Sequence, residues 1–69
     1  MEKIIAIEGM SCNHCKMHVE NALNGLPGVT SAVVDLKAKN ATVKADESVT
    51  DEALKNAVEE AGYEVTGIR

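Results

Sequence analysis

Aromatic residues are almost missing from this chain: Tyr63 is the only one, and neither Phe nor Trp occurs. A core must therefore be assembled from Val, Ala, Leu and Ile. In 69 residues such a core is thin, because a domain this size buries only about 60% of the surface its unfolded chain exposes. Marginal stability follows, and a ligand bound only by the folded chain raises it noticeably. Positive charge is also short, with 7 Lys and Arg against 11 Asp and Glu and a formal net charge of −4. The lack of a basic patch and of stacking aromatics argues against nucleic acid. The acidic balance argues against an anionic membrane surface. No apolar run approaches the roughly 18 residues of a membrane helix. The opening MEKIIAIE is too short an apolar stretch for a secretory signal. The sequence thus predicts one domain over residues 1–69, cytoplasmic and without membrane insertion.

Cysteine is scarce as well, with only Cys12 and Cys15. A disulfide between them would close a tiny loop and would not staple a fold. A reducing compartment with both thiols free is the better reading, which makes them metal ligands or redox groups.

What is present is a repeated rhythm of strand, helix and strand. Ile5 and Ile7 alternate with polar or small neighbours, predicting a first strand over residues 3–8. Gly9 breaks the pattern and residues 10–14 make a loop. From about Cys15, apolar residues at Val19, Ala22, Leu23 and Leu26 mark one helical face, which Pro27-Gly28 ends. Ala32, Val34 and Leu36 alternate, then Ala41, Val43 and Ala45, giving a hairpin with its loop at residues 37–40. Thr50 is a helix N-cap, and Asp51 and Glu52 suit the positive end of the helix dipole. Leu54, Ala57, Val58 and Ala61 form that helix's buried stripe, Gly62 its C-terminal cap, and a short strand through Val65 follows. The order βαββαβ with right-handed crossovers is the α+β, ferredoxin-like sandwich: a four-stranded antiparallel sheet with two helices on one face. That topology brings the loop after Gly9, the hairpin with Lys37 and Lys39, and the Gly62–Tyr63 turn to one end of the molecule.

The informative stretch is Gly9-Met10-Ser11-Cys12-Asn13-His14-Cys15. Two thiols three positions apart at a loop-to-helix junction can turn toward one point. The unpaired N–H groups and dipole of a helix start favour their thiolate forms. Thiolates are soft donors and select Cu(I) over hard ions. A closed zinc site wants four ligands, whereas this chain offers two cysteines, with His14 as the only candidate third donor nearby. Two thiolates satisfy Cu(I), and an under-filled, exposed site admits a partner's thiolate, or lets two copies of the chain share one copper ion.

A dithiol oxidoreductase is the competing chemistry of C-x-x-C. Against it, Met10 and Ser11 precede the pair where no Trp stands, and no proline lies between the cysteines. Met10 reads as a core plug under the loop rather than as a thioether ligand. His14 reads as a solvent-facing residue that tunes the site from beside it. His18, one turn into the helix, reads as merely exposed. For Tyr63 two roles stay open: shielding or hydrogen-bonding a sulfur, or capping the small core. Lys16, Lys37 and Lys39 face an acidic group of Glu59, Glu60 and Glu64, a distribution that steers docking.

The G-M-x-C-x-x-C stretch, the helix after it and the late Ala61-Gly62-Tyr63-Glu64-Val65 resemble the heavy-metal-associated domain, and most of all the small bacterial copper chaperones. The resemblance spans the whole chain. It implies the ferredoxin-like fold, Cu(I) on Cys12 and Cys15, no enzymatic activity, and transfer to the metal-binding domain of a copper-transporting P-type ATPase. A regulatory domain belonging to such an ATPase is the alternative within the family. Zinc- and cadmium-selective members tend to carry Asp before the first cysteine; Ser11 stands there in this chain and favours copper. Mercury-binding members share the core motif, but their periplasmic forms need an export signal.

Overall fold

Alternation of buried and more exposed side chains marks the strands, most clearly in the central hairpin, and two segments with a helical apolar stripe cover one side of them. The computed structural model describes all of residues 1–69. In chain order the elements are β1 (Glu2–Glu8), α1 (Asn13–Asn24), β2 (Val29–Asp35), β3 (Asn40–Ala45), α2 (Asp51–Glu60) and β4 (Glu64–Ile68). The sheet order is β2-β3-β1-β4, and every neighbouring pair is antiparallel. This is the expected βαββαβ ferredoxin-like arrangement.

Register places the buried set on one face. Ile5 pairs with Ala41, and Val43 with Ala32. Their side chains meet Val19 and Leu23 of α1 and Leu54 and Val58 of α2. Full burial of each large aliphatic residue contributes about 1.5–3 kcal/mol, so these few side chains carry most of the driving force. Val49, ahead of α2, joins the core although no periodic pattern marks it. Ala57 and Ala61 are only half-buried. The Thr50 hydroxyl accepts a hydrogen bond from the Ala53 N–H at 3.1 Å, the N-cap its residue type predicts. No helix is long and apolar enough to cross a membrane.

Four boundaries differ from the sequence expectation. Helix α1 begins at Asn13, two residues before Cys15, with Cys12 as an extended N-cap that makes no side-chain cap bond. It stops at Asn24 with Gly25 as cap, ahead of Pro27-Gly28. Pro27 disfavours a helical Leu26, so the proline acts upstream of its own position. The hairpin turn occupies residues 36–39, because Asn40 already pairs with Asp35 and Ala6. Finally, β4 runs on to Ile68, held to β1 by paired 2.8 Å bonds between Ile4 and Arg69.

Strand β2 lies at a sheet edge, and one of its N–H groups is already occupied. The Val34 N–H donates to a Glu20 carboxylate oxygen of α1 at 2.8 Å. At the opposite corner Gly28 holds a left-handed φ of +92° beside Asp46 and Val49.

The three connections the topology predicts at one end do meet there. The Ile7 N–H donates to the Lys39 carbonyl at 2.9 Å, tying the hairpin turn to the end of β1. A Cβ on Gly9 would lie 3.6 Å from the Tyr63 ring. Gly9 and Gly62 take φ of +98° and +100°, conformations that side chains resist. They let the chain turn where β1 leads to α1 and where α2 leads to β4.

Candidate metal centre

Cys12 and Cys15 stand at the point where β1 hands over to α1. The extended backbone of Cys12 places it outside the helix, exposed. Its carbonyl accepts the Lys16 N–H at 3.2 Å, the first bond of the helical ladder. Cys15 is fixed in the first turn, half-buried, and packs against the core together with Tyr63. Both thiols are free, and their sulfurs approach to 3.5 Å.

The electrostatics of the pair are uneven. The Tyr63 hydroxyl, donating to the Cys15 sulfur, is the largest influence on that thiol. The Ser11 backbone N–H and the Cys12 side chain act the same way, burial opposes them, and the Cys12 backbone adds the smallest lowering effect. Together they lower the Cys15 pKa from 9.0 to about 6. The effect is reciprocal: the phenol that donates to a thiolate holds its proton, and Tyr63 is raised from 10.0 to about 12 by that hydrogen bond, by burial and by the nearby sulfur charges. At neutral pH the arrangement is a thiolate in the helix, a second, exposed sulfur beside it outside the helix, and a phenol donor beneath.

Of the other residues the sequence singles out, Met10 is 9% exposed and belongs to the core cluster, as a plug beneath the loop. His14 and His18 are both exposed on α1. No group of three or more His, Cys, Asp or Glu side chains gathers anywhere in the molecule. His14 is therefore not drawn in with the two sulfurs. Lys16 is half-buried, while Lys37, Lys39, Glu59, Glu60 and Glu64 are exposed. For Tyr63 the geometry satisfies both open roles at once, since the ring packs on the core and the hydroxyl serves Cys15. Ser11, whose residue type the family resemblance ties to copper preference, also takes part through its backbone N–H, a role its side chain does not announce.

Chemically the centre offers two soft donors, one already ionised at neutral pH, with no third ligand to close it. Residues 4–64 match the family described as heavy-metal-associated domain. A Staphylococcus aureus (strain MRSA252) protein described as copper chaperone CopZ is 48% identical over 65 residues, covering 93% of this chain and 96% of its own length. The solved structure of a CopZ metallochaperone superposes with a TM-score of 0.93 at 46% identity, covering 96% of this chain and 100% of that one. A copper-binding domain from HMA7, a P-type ATPase, gives a TM-score of 0.89 at 34% identity, covering 100% of this chain and 99% of its own. On its own fold, its thiol pair and these matches, the chain belongs to the heavy-metal-associated domain family.

Proposed function

We propose that this protein is a copper chaperone: it carries one Cu(I) on Cys12 and Cys15 through a reducing cytoplasm and delivers it to the metal-binding domain of a copper-transporting P-type ATPase. It is a carrier and not an enzyme. The observation that carries the reading is the pair of free sulfurs 3.5 Å apart at the start of α1, one of them lowered to a pKa of about 6. Soft, ionised and two in number, these donors suit Cu(I) and leave zinc two ligands short. The likeness to a domain described as part of a P-type ATPase supports a partner of the same shape.

Delivery follows from the inequality of the two cysteines. Cys12 lies outside the helix and is exposed, so its sulfur can turn outward with the ion. An incoming partner thiolate adds to the copper before any bond breaks, giving a three-thiolate Cu(I) shared between the two proteins. Cys12 leaves next, a second partner thiolate enters, and Cys15 leaves last. No stage strips the ion bare, so exchange is fast even where affinity is high. The exposed lysines and acids around this end orient the encounter and make it salt-sensitive.

A competition titration against a Cu(I) chelator under anaerobic conditions tests the proposal. One Cu(I) per chain is expected, with Zn(II) held far more weakly. A tight four-coordinate zinc complex of the monomer would overturn the copper assignment.

A further inference from the structure

The first helix carries a second set of metal donors that the thiolate pair does not use. His14 and His18 stand four positions apart in α1, and both are exposed. At that spacing two helical side chains lie one turn apart on one face, with Cβ atoms about 5–6 Å from each other. The two histidines precede Cys15 and Val19 by one position each, so their face is turned about 100° from the buried stripe. Neither imidazole takes part in a side-chain hydrogen bond or an ion pair; the molecule's one salt bridge joins Lys3 to Asp51. Lys16 lies between them in sequence but on the far side of the helix. Met17, 55% exposed, follows His14 by three positions and brings a thioether to the rim of the same patch.

We propose that His14 and His18 form a second metal site, separate from the thiolate pair, for a borderline divalent cation of the nickel, copper(II) and zinc class. Imidazole is the donor that suits these ions, and histidines four apart on a helix are the arrangement by which a single helix chelates one. No third Cys, His, Asp or Glu gathers around the pair, so water completes the coordination sphere and the ion stays exchangeable. The net charge of −4 favours cations near the surface. One helix then sorts ions by softness: soft Cu(I) goes to the sulfurs at its mouth, and borderline dications go to the nitrogens along its side.

Ni(II) is the probe, and the Cys12→Ser, Cys15→Ser double variant removes the sulfurs from the competition, so the outcome is independent of the Cu(I) reading. Calorimetry should find one Ni(II) per chain in this variant. Broadening of NMR signals by the paramagnetic ion should centre on the His14 and His18 rings. His18→Ala, added to the double variant, should weaken binding about tenfold, the chelate gain of a second donor held at high effective concentration. Alanine is the better helix former, and thermal melts confirm that the variant is folded. His18→Ala should leave Cu(I) binding by the otherwise unchanged chain as it was. Ni(II) affinity unchanged by His18→Ala, or lost along with the cysteines, overturns the proposal.

Discussion

Replacing Tyr63 by Phe removes one hydroxyl and keeps the ring that packs on the core, so it isolates the hydrogen bond to Cys15. With its pKa at about 6, Cys15 is about 90% thiolate at pH 7, against about 1% for a thiol at 9.0. The hydroxyl is the largest of four lowering influences on a fall from 9.0 to about 6. It therefore outweighs each of the others, and Tyr63→Phe should raise the titration midpoint clearly above about 6. The midpoint should stop short of 9.0, because the Ser11 and Cys12 contributions remain. Alkylation by iodoacetamide, followed at Cys15 by mass spectrometry across a pH series, is the assay. A single rate at neutral pH would mislead. Raising a thiol's pKa depletes the thiolate but makes each thiolate more nucleophilic, with a Brønsted coefficient of about 0.4–0.5, and the two effects largely cancel. The midpoint of the profile does not suffer this cancellation.

The same substitution has a signature in stability. Between pH 6 and 9, spanned by the folded value of about 6 and the ordinary 9.0, the unfolded chain holds a proton on Cys15 that the folded chain has released. Stability of the metal-free protein should therefore rise with pH across that window and flatten above it. In Tyr63→Phe the rise should begin at a higher pH. An unmoved alkylation midpoint together with an unmoved stability profile would refute the assignment of Tyr63 as the controlling donor.

Copper affinity should fall steeply in Cys12→Ser or Cys15→Ser, each of which removes half the strong donors, and only slightly in His14→Ala; equal losses in chelator competition would promote His14 to a primary ligand. When single-cysteine variants are mixed with a partner C-x-x-C domain, the one retaining Cys12 should trap the mixed copper complex more readily, and preference for Cys15 would reverse the order of exchange. Gly28→Ala should destabilise by about 1–3 kcal/mol through backbone strain, with an added penalty because its Cβ would lie 2.8 Å from Val49 and 2.9 Å from Asp46. Gly62→Ala shares the positive φ but meets nothing within 4 Å, so urea titrations should rank it the milder change, and equal losses would exclude a contact contribution. Copper should raise the melting temperature and add hydrogen-exchange protection mainly at residues 9–16, and protection spread evenly over the sheet would contradict a local site.

The alternation of Ile5 and Ile7, of Ala32 and Val34, and of Ala41, Val43 and Ala45 was legible because each strand buries one face and register copies the pattern directly. Thr50 announced α2 by its chemistry. The start of α1 was less legible because its N-cap is Cys12, a residue without a capping hydrogen bond, so the usual Ser, Thr, Asp or Asn signal is absent. Its end was hidden because a proline constrains the residue before it, which moved the stop back to Gly25. Val49 was invisible for another reason: it enters the core from a loop, where no periodicity exists to reveal it. At the candidate centre, the positions of both cysteines at the helix mouth followed from motif spacing. The asymmetry between them did not, since it rests on a tyrosine 48 positions after Cys15 in the sequence and on backbone N–H groups that no residue type encodes.

The carboxylate of Glu20 on the Val34 N–H bears on how such a protein meets others. An exposed edge strand is a template on which a foreign strand can pair and grow, and a carrier must collide with many proteins for each delivery it makes. With a helix side chain seated on the edge, a visiting strand must first displace it. Contacts along this flank of the sheet are thereby made brief.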